Sequence, residues 1–370
     1  MRRMTSGDVL SQRAVNRATL GRQLLLHRAT MSAVEAIGHL VGMQAQAPNA
    51  PYVALWSRLA DFDPGELATL LRERRVVRGW FQRTTVHLVT ARDALALRPL
   101  TQAVAARMFA GSPFSRGVAG LDVAQLLPVG RALLEEAPRT RAELGRLLAD
   151  RFPGHDGVSM AFAVNVLVPV VQVPPRGIWG ASGPAALAPL ESWLGAPLDP
   201  KPSVDALLLR YLGAFGPATV KDAQMWSGLT RLREVADRLR PRLRTFRDES
   251  GAELFDLPDA PRPDPGTPAP PRFLPEYDNL LLSHADRSRV IPDGRPVPLP
   301  PGNGGNVGTV LVDGSFRATW AIRRGDGRAT LTVAPFVRLP RRDRAAVAGG
   351  GARLLAFTDP GAPVEVRIEE

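Results

Sequence analysis

The chain has 370 residues, of which 45% are hydrophobic, enough for two or three cores of ordinary size. It contains no Cys, which excludes disulfides and thiolate metal sites, and its five His residues have no metal-ligand spacing, so neither a metal nor a cofactor is expected. The net charge of +11 indicates a polyanionic partner. A coding bias explains Arg in place of Lys, but it does not explain the excess of positive residues over Asp and Glu.

Neither the start of the chain nor its most apolar run predicts a membrane segment. The opening "MRRMTSGDVLSQRAV" is basic but has no apolar stretch after it, so no export signal is expected. The run "MAFAVNVLVPVVQV" from Met160 is too short to span a bilayer and carries Asn165 and Pro169. The sequence therefore predicts a cytoplasmic protein.

The first part of the chain combines helices with a hairpin. Residues 8 to 60 show apolar residues at helical spacing, with Thr30 or Ser32 as a plausible cap, and "DPGELATLLRERR" adds a short amphipathic helix. From Val76 to Val89, β-branched and aromatic residues predict two strands that turn near Gly79 or Gln82. Helices followed by a hairpin are the components of a winged helix.

The same pattern returns twice. Thr140 and Glu143 form a capping-box pattern at the start of a helix, and apolar residues from Val166 to Val173 predict a strand. A third copy begins at Val204, with Thr219 as a helix cap and a hairpin turn at Glu249-Ser250-Gly251. Three repeats of helix, helix and hairpin, around residues 8 to 90, 125 to 185 and 203 to 257, predict an α+β protein with three tandem winged-helix modules. An all-helical repeat array fits the sequence less well, because predicted strands recur at regular intervals between the helices.

A proline-dense stretch from Asp256 to Pro275 is an extended linker or a draped loop. Beyond it, "GTVLVDGSFRATWAIRR" and "ATLTVAPFVRL" alternate like antiparallel strands, which predicts a C-terminal β-barrel-like domain closed by a helix. The predicted boundaries are 1–120 for the first module, 121–200 for the second, 201–272 for the third with the linker, and 273–370 for the β-domain.

Six segments together carry a family resemblance. They are, in chain order, "GMQAQAP", "QRTTVHLV", "PRGIWG", "AFGPATVKDAQMWSGL", "FLPEYDNLLLSHADRSRV" and "VLVDGSFRATW". Their order resembles that of the AlkZ/YcaQ group of winged-helix DNA glycosylases over almost the whole chain. The resemblance implies three winged helices and a β-barrel around duplex DNA. It also implies excision of N7-alkylated purines, including interstrand crosslinks in some members.

The resemblance points to Gln44-Ala45-Gln46 as the catalytic segment. AlkZ-like members carry Gln, an apolar residue and Gln, whereas YcaQ-like members carry Asp at the second position, so this sequence is similar to the AlkZ side. Residues i and i+2 share a face only when the backbone is extended, and Pro48 and Pro51 favour leaving the helix there. Both amides are then expected to face one cavity. Taken alone, a Gln-x-Gln segment is also typical of a helix end or a solvated loop.

Two neutral amides suit this chemistry. Ordinary glycoside hydrolysis needs one carboxylic acid and one carboxylate. An N7-alkylguanine is already cationic and leaves as a neutral base, so the enzyme has mainly to position water and stabilise an oxocarbenium-like sugar. An amide offers two donors and an acceptor for that purpose, and it spares normal purines, which need stronger help to depart.

Further candidates for DNA contact flank the glutamines. Alternation along "RTTVHLV" places Arg83, Thr85 and His87 on one strand face, although His87 also fits an ordinary interior histidine. Asp278 is a carboxylate that could orient water or simply cap the following helix. The remaining candidates are basic: Arg287 and Arg289, which fit phosphate contacts or solvated surface, and Arg176, which has a wing-tip position.

The predicted partner is double-stranded DNA carrying N7-alkylpurine or crosslink lesions, bound by a monomer. The alternative function is a non-catalytic winged-helix DNA-binding protein or transcription regulator, which would use the same basic surface and ignore the glutamines. An RNA-binding module would need aromatic stacking motifs that this sequence does not show.

Overall fold

The structure is a computed structural model that describes residues 8–298, 307–325 and 327–370. Its architecture is mixed α and β, with separate sheets of three, six and five strands connected and covered by helices. The first seven residues of the basic opening lie outside the described residues.

The N-terminal region is helical after a two-residue strand, as the sequence predicts. Ser32 caps the second helix in a capping box with Glu35, so Ser32 and not Thr30 is the cap, and Asp63 caps the fourth. The elements are β1 (Val9–Leu10), α1 (Gln12–Arg22), α2 (Ala33–His39), α3 (Ala50–Arg58) and α4 (Pro64–Arg72).

A six-stranded antiparallel sheet lies at the centre of the molecule. Its strands are β2 (Met43–Gln44), β3 (Val76–Trp80), β4 (Val86–Thr90), β5 (Arg139–Thr140), β6 (Val170–Gln172) and β7 (Ala186–Pro189), in the order β2-β4-β3-β6-β7-β5. The first hairpin turns through a 3₁₀ segment at Gln82–Thr84, which confirms the turn near Gln82 over the one at Gly79. Because Arg78 of β3 pairs with Gln172 of β6, the first two predicted hairpins share one sheet.

Five helices surround this sheet. They are α5 (Ala91–Ala110), α6 (Val123–Glu136), α7 (Arg141–Arg151), α8 (Gly157–Leu167) and α9 (Leu190–Leu194). Thr140 and Glu143 form the predicted capping box of α7. The strand predicted from Val166 begins only at Val170, because Val166 still lies in the buried helix α8, which ends at Leu167, and Pro169 prevents its continuation. A helix that is apolar on all sides cannot be told from a buried strand by periodicity.

The third helix-and-hairpin unit packs against the central sheet. Its elements are α10 (Val204–Phe215), α11 (Val220–Ser227), α12 (Leu232–Leu239), β8 (Arg244–Asp248) and β9 (Glu253–Asp256). Thr219 caps α11, as predicted. Tyr211 and Trp226 share a hydrophobic core with Val77 of β3 and Val89 of β4. The N-terminal β1 adds to this unit as a parallel neighbour of β8.

The proline-rich segment is a draped loop rather than a free linker. Arg13 Nε of α1 donates to the carbonyl of Pro265 at 2.7 Å, and Arg17 Nε donates to that of Thr267 at 2.7 Å. These bonds hold the segment against α1.

The C-terminal domain is an open five-stranded sheet covered by one long helix. Its elements are β10 (Arg272–Leu274), β11 (Gly308–Val312), β12 (Ser315–Gly325), β13 (Arg328–Pro335), α13 (Arg341–Thr358) and β14 (Val364–Ile368), and the strands follow that order in the sheet. Asp313 and Gly314, both with positive φ, make the turn between β11 and β12. The barrel prediction is wrong for the described strands, because β10 and β14 lie at opposite edges of the sheet and α13 covers it instead of a closing strand pair. In the part of the chain that the structure describes, no helix has the length and apolarity needed to cross a membrane.

Candidate active site

The path from α2 into β2 sets the position of the two glutamines. Val41 and Gly42 both have positive φ. A Cβ on residue 42 would come within 2.6 Å of the Val89 side chain, so this position requires glycine. The chain then runs antiparallel to β4, with Gln44 opposite His87. The predicted exit from the helix before the glutamines is therefore confirmed, and its cause is a tight turn at glycine.

Gln44 and Gln46 line the same wall of one cleft. The Gln44 side chain is buried, and its Oε1 accepts a hydrogen bond from Arg83 Nη2 at 3.0 Å. Because an arginine can only donate, this contact identifies the carbonyl end of the amide and leaves Nε2 as the donor end. Gln46 is half-buried, and its Oε1 lies 3.5 Å from the backbone N–H of Val86 on β4. The expected shared face of the two amides is confirmed.

The Arg83 guanidinium connects Gln44 to its neighbours through hydrogen bonds. It lies in the turn between β3 and β4, where Arg83 and Thr84 both have a φ of 54°, a costly conformation for residues with a side chain. Its guanidinium donates to the carbonyl of Trp226 at 2.7 Å and to Asn279 Oδ1 at 2.9 Å, besides Gln44. Desolvation, followed by repulsion from Arg287, lowers the pKa of Arg83 to about 10, so it is a cation at neutral pH.

His87 lies behind this wall in the protein interior. It is fully buried, and its Nδ1 lies 3.0 Å from the carbonyl of Thr85, which makes Nδ1 the protonated nitrogen and leaves Nε2 as an acceptor 3.4 Å from Arg83 Nη2. Desolvation, with a smaller contribution from Arg83, lowers the pKa of His87 to about 3. A neutral, buried imidazole supports Arg83 and does not present a charge to phosphate. Thr85 itself lines the cleft, with its hydroxyl 3.5 Å from Gln44 Oε1.

Two of the predicted residues lie in buried ion pairs away from the cleft lining. Asp278 accepts two bonds from Arg58, at 2.8 and 2.9 Å, and also caps the short 3₁₀ helix that follows it. Arg289 pairs with Asp222 at 3.3 Å and donates to the carbonyl of Pro217 at 2.8 Å. Both side chains therefore connect segments of the fold, and Asp278 matches the capping alternative.

The cleft has a volume of about 820 Å³, is open to solvent and is strongly basic. Arg176 and Arg287, both predicted, line it together with three further arginines, and no Asp or Glu is among the described residues of its lining. The five lining arginines are Arg78, Arg83, Arg141, Arg176 and Arg287. A wall that carries this much positive charge without carboxylates attracts a polyanion.

Arg78 is a buried member of this set that sequence reasoning missed. Its Nη2 donates to the carbonyl of Ala45, between the two glutamines, at 2.7 Å, whereas Nε and Nη1 have no hydrogen-bond partner among the described residues. Desolvation, followed by repulsion from Arg176, lowers its pKa to about 10. Its alternation with Trp80 on β3 is the sequence pattern that could have identified Arg78, because residues i and i+2 of a strand share a face.

The lining of the cleft also contains aromatic and amide side chains. Trp80 and Phe162 meet edge to face with ring centroids 5.8 Å apart, and Gln172 and Asn165 lie beside them. Asn165 is buried in α8, and its Oδ1 lacks a partner among the described residues. Aromatic faces and amides are groups that hold a planar heterocycle. These residues come from segments that the sequence shows only as core.

The cleft is basic and its described lining has no carboxylate, an arrangement suited to a class of protein that binds a polyanion. Among the described residues no group of three or more His, Cys, Asp or Glu side chains is placed to hold a metal ion. A family model described as "DNA glycosylase AlkZ-like" matches residues 37–357, and the chain belongs to that family.

A curated protein and a solved structure, both from Streptomyces sahachiroi, are similar to this chain. An interstrand DNA cross-link repair glycosylase is 26% identical over 247 residues, a match that spans 64% of this chain and 64% of the relative. The solved structure of the DNA glycosylase AlkZ superposes with a TM-score of 0.73 at 23% identity and covers 98% of this chain and 100% of that chain. The structural likeness shows a shared fold over nearly the whole length.

Proposed function

We propose that this protein is a monofunctional DNA glycosylase that hydrolyses the N-glycosidic bond of N7-alkylated purines in duplex DNA, crosslinked adducts included. The observation that carries the proposal is the pair of amides Gln44 and Gln46 on one wall of a basic cleft whose described lining contains no carboxylate. Family membership and the cross-link repair activity in the name of the similar relative support it. The protein is proposed to act as a monomer in the cytoplasm.

The two glutamines have different roles in this proposal. Gln44 Oε1 is engaged by Arg83, so the amide Nε2 is the end that donates toward the sugar, a phosphate or the attacking water. Gln46 lies two residues further along the chain and lines the same cleft, and its carbonyl accepts a hydrogen bond from that water. Arg83 fixes the orientation of Gln44 and polarises its amide, which strengthens the hydrogen bond that Nε2 donates.

The reaction needs no general acid. The bond between C1′ and N9 breaks with its electron pair moving to the purine, which neutralises the positive charge that alkylation at N7 created. The water oxygen then bonds to C1′, and the released proton passes to solvent. Since the described lining has no carboxyl group to protonate a normal purine, unmodified DNA lacks the help it needs to lose a base. Selectivity for cationic adducts follows from the absence of carboxyl groups in the described lining of the cleft.

The aromatic part of the cleft lining is proposed to receive the adduct. A volume of about 820 Å³ exceeds what a purine base alone requires, and Trp80 and Phe162 offer apolar surface for a bulky alkyl or aryl substituent. The basic residues Arg176 and Arg287 are proposed to hold the phosphates on either side of the lesion.

The division into modules is part of the same proposal. Hairpins β3–β4, β6–β7 and β8–β9 each follow helices, which supports three winged-helix modules with boundaries near residues 120, 200 and 272 and a β-domain from 273. The shared central sheet makes the first two modules one structural unit, so their surfaces keep a fixed relative orientation toward DNA.

The test is single-turnover incubation with a duplex that contains one N7-methylguanine, followed by measurement of free base and abasic sites. Changing Gln44 or Gln46 to Ala is expected to slow release about 10²-fold, because removing one positioned hydrogen bond in such a site typically has that effect. Duplex affinity should hardly change, since neutral side chains contribute little to salt-dependent binding.

The matched control is Gln125→Ala, which removes an exposed glutamine on α6. Native-rate excision by the double Gln44→Ala, Gln46→Ala variant would refute the catalytic roles. If the native protein binds duplex DNA but releases no base from any N7-alkylated substrate, the non-catalytic DNA-binding function is the correct one.

A further inference from the structure

A second basic pocket lies at the junction between the N-terminal helices and the C-terminal domain. It has a volume of about 240 Å³, and none of its lining residues lines the cleft described above. Three arginines converge on it from distant parts of the sequence: Arg28 follows α1, Arg272 begins β10 and Arg353 lies on α13. Among the described residues that line the pocket there is no Asp or Glu.

The fold brings these cations together through close packing. Gly350 of α13 allows the helix to approach β10, since a Cβ there would come within 2.8 Å of the Phe273 ring. The Arg28 guanidinium lies 4.4 Å from the centre of the Trp56 ring. Arg272 donates to the backbone carbonyls of Leu25 at 2.7 Å and Leu26 at 3.2 Å. Neutral oxygens and an aromatic face orient these side chains without neutralising them.

The charge in this pocket is uncompensated. Desolvation, followed by repulsion from Arg353, lowers the pKa of Arg28, and desolvation, followed by repulsion from Arg28, lowers that of Arg272 to about 10. Arg28 Nε is buried and has no hydrogen-bond partner among the described residues. Elsewhere in the interior, buried arginines such as Arg22 and Arg58 are paired with carboxylates. An anion is the missing partner that would relieve this repulsion.

We propose that Arg28, Arg272 and Arg353 form a phosphate-binding site separate from the lesion cleft. Guanidinium groups bind phosphate oxygens through charge-assisted hydrogen bonds, and the volume admits one or two phosphate groups. The phosphate belongs either to the backbone of duplex DNA that extends beyond the cleft or to a free phosphorylated compound. The site does not depend on the catalytic roles of the glutamines.

Calorimetric titration with sodium pyrophosphate, at an ionic strength held constant with chloride, tests the shared chemistry. Arg353→Ala removes an exposed side chain and leaves the packing of α13 intact. Arg28→Met keeps apolar contact with Trp56 while removing the charge. Each is expected to weaken pyrophosphate binding about tenfold or more, because a hydrogen bond to a charged group is lost. Arg342→Ala, which removes an exposed arginine of the same helix, is the matched control.

The salt dependence of binding to undamaged duplex distinguishes the two sources. If DNA supplies the phosphate, Arg353→Ala lowers the slope of log affinity against log salt by about one and Arg342→Ala does not. An unchanged slope with weakened pyrophosphate binding assigns the site to a free phosphorylated compound. If neither measurement separates Arg353→Ala from Arg342→Ala, the proposal is wrong. None of these readouts uses base excision, so the result is independent of the proposed glycosylase activity.

Discussion

Two groups of arginines in this protein have different surroundings. Arg22, Arg58 and Arg289 are each paired with a buried carboxylate, whereas Arg78 and Arg83 are held by backbone carbonyls and amide oxygens. The first group connects segments distant in sequence and the second lines the cleft. In these two groups, carboxylates neutralise the arginines that connect segments of the fold, and neutral oxygens position those that line the cleft.

This difference matters for a protein that binds a polyanion. A carboxylate beside Arg83 would cancel the charge and repel phosphate, while an amide or carbonyl orients the guanidinium and preserves its field. Removing one partner of a buried ion pair leaves an uncompensated charge in the interior, which is costly. We therefore expect changes in the paired group to affect stability and changes at the cleft to affect binding and excision.

The largest effect is expected for Asp278→Ala. It leaves Arg58 buried without its counterion and removes the cap of the following 3₁₀ helix, so the free energy of unfolding should fall by about 3–5 kcal/mol. Chemical denaturation measures this loss, with Asp61→Ala, which removes an exposed carboxylate, as the control. If the variant keeps native stability but loses base excision, Asp278 orients water after all and the structural assignment fails.

Acidification should lower the free energy of unfolding through His87, the buried histidine behind Arg83. Burial holds the pKa of His87 at about 3, below the value of about 6.5 expected for an unfolded chain, so the unfolded state binds the extra proton between these pH values. The contribution of His87 to the free energy of unfolding is then fully present above about pH 6.5. It falls toward pH 3 by up to about 1.4 kcal/mol per pH unit.

Unfolding free energies of the native protein and of His87→Gln, measured from pH 7 to 4, check this expectation. His284, which burial likewise holds at a pKa of about 3, contributes to the same acid loss in both proteins, so the comparison isolates His87. Identical pH slopes in the two proteins would show that His87 is protonated without cost, contrary to its buried position.

The smallest effect is expected at the rim of the cleft. Arg287 is half-buried, and its replacement by Ala should change stability by no more than about 0.5 kcal/mol. The salt slope of duplex binding should fall by about one if it contacts a phosphate. Arg338→Ala removes an exposed arginine outside the cleft and should leave the slope unchanged. Equal slopes for both variants would remove Arg287 from the DNA-binding surface.

Local patterns in the sequence were sufficient for much of the architecture. The capping box at Thr140, the cap at Thr219 and a turn near Gly79 or Gln82 depend on neighbouring residues, so they can be recognised without a fold. The extended Gln44-Ala45-Gln46 segment can also be recognised from local sequence, because alternation along a strand decides which side chains share a face. The strand predicted from Val166 was wrong because burial on all sides erases periodicity.

Only the tertiary structure decided which polar residues face the cleft. Asp278 is paired with Arg58, which lies 220 positions away, and Arg289 with Asp222 at a separation of 67, so no local pattern distinguishes these ion pairs from catalytic or phosphate-binding residues. His87 alternates correctly with Thr85, yet it is buried because Asn279 and Arg83 pack against it. The sequence determined most of the elements and the extended form of the glutamine segment, which are local. The fold determined which charges are neutralised by distant partners and which face the cleft, and whether the last sheet closes.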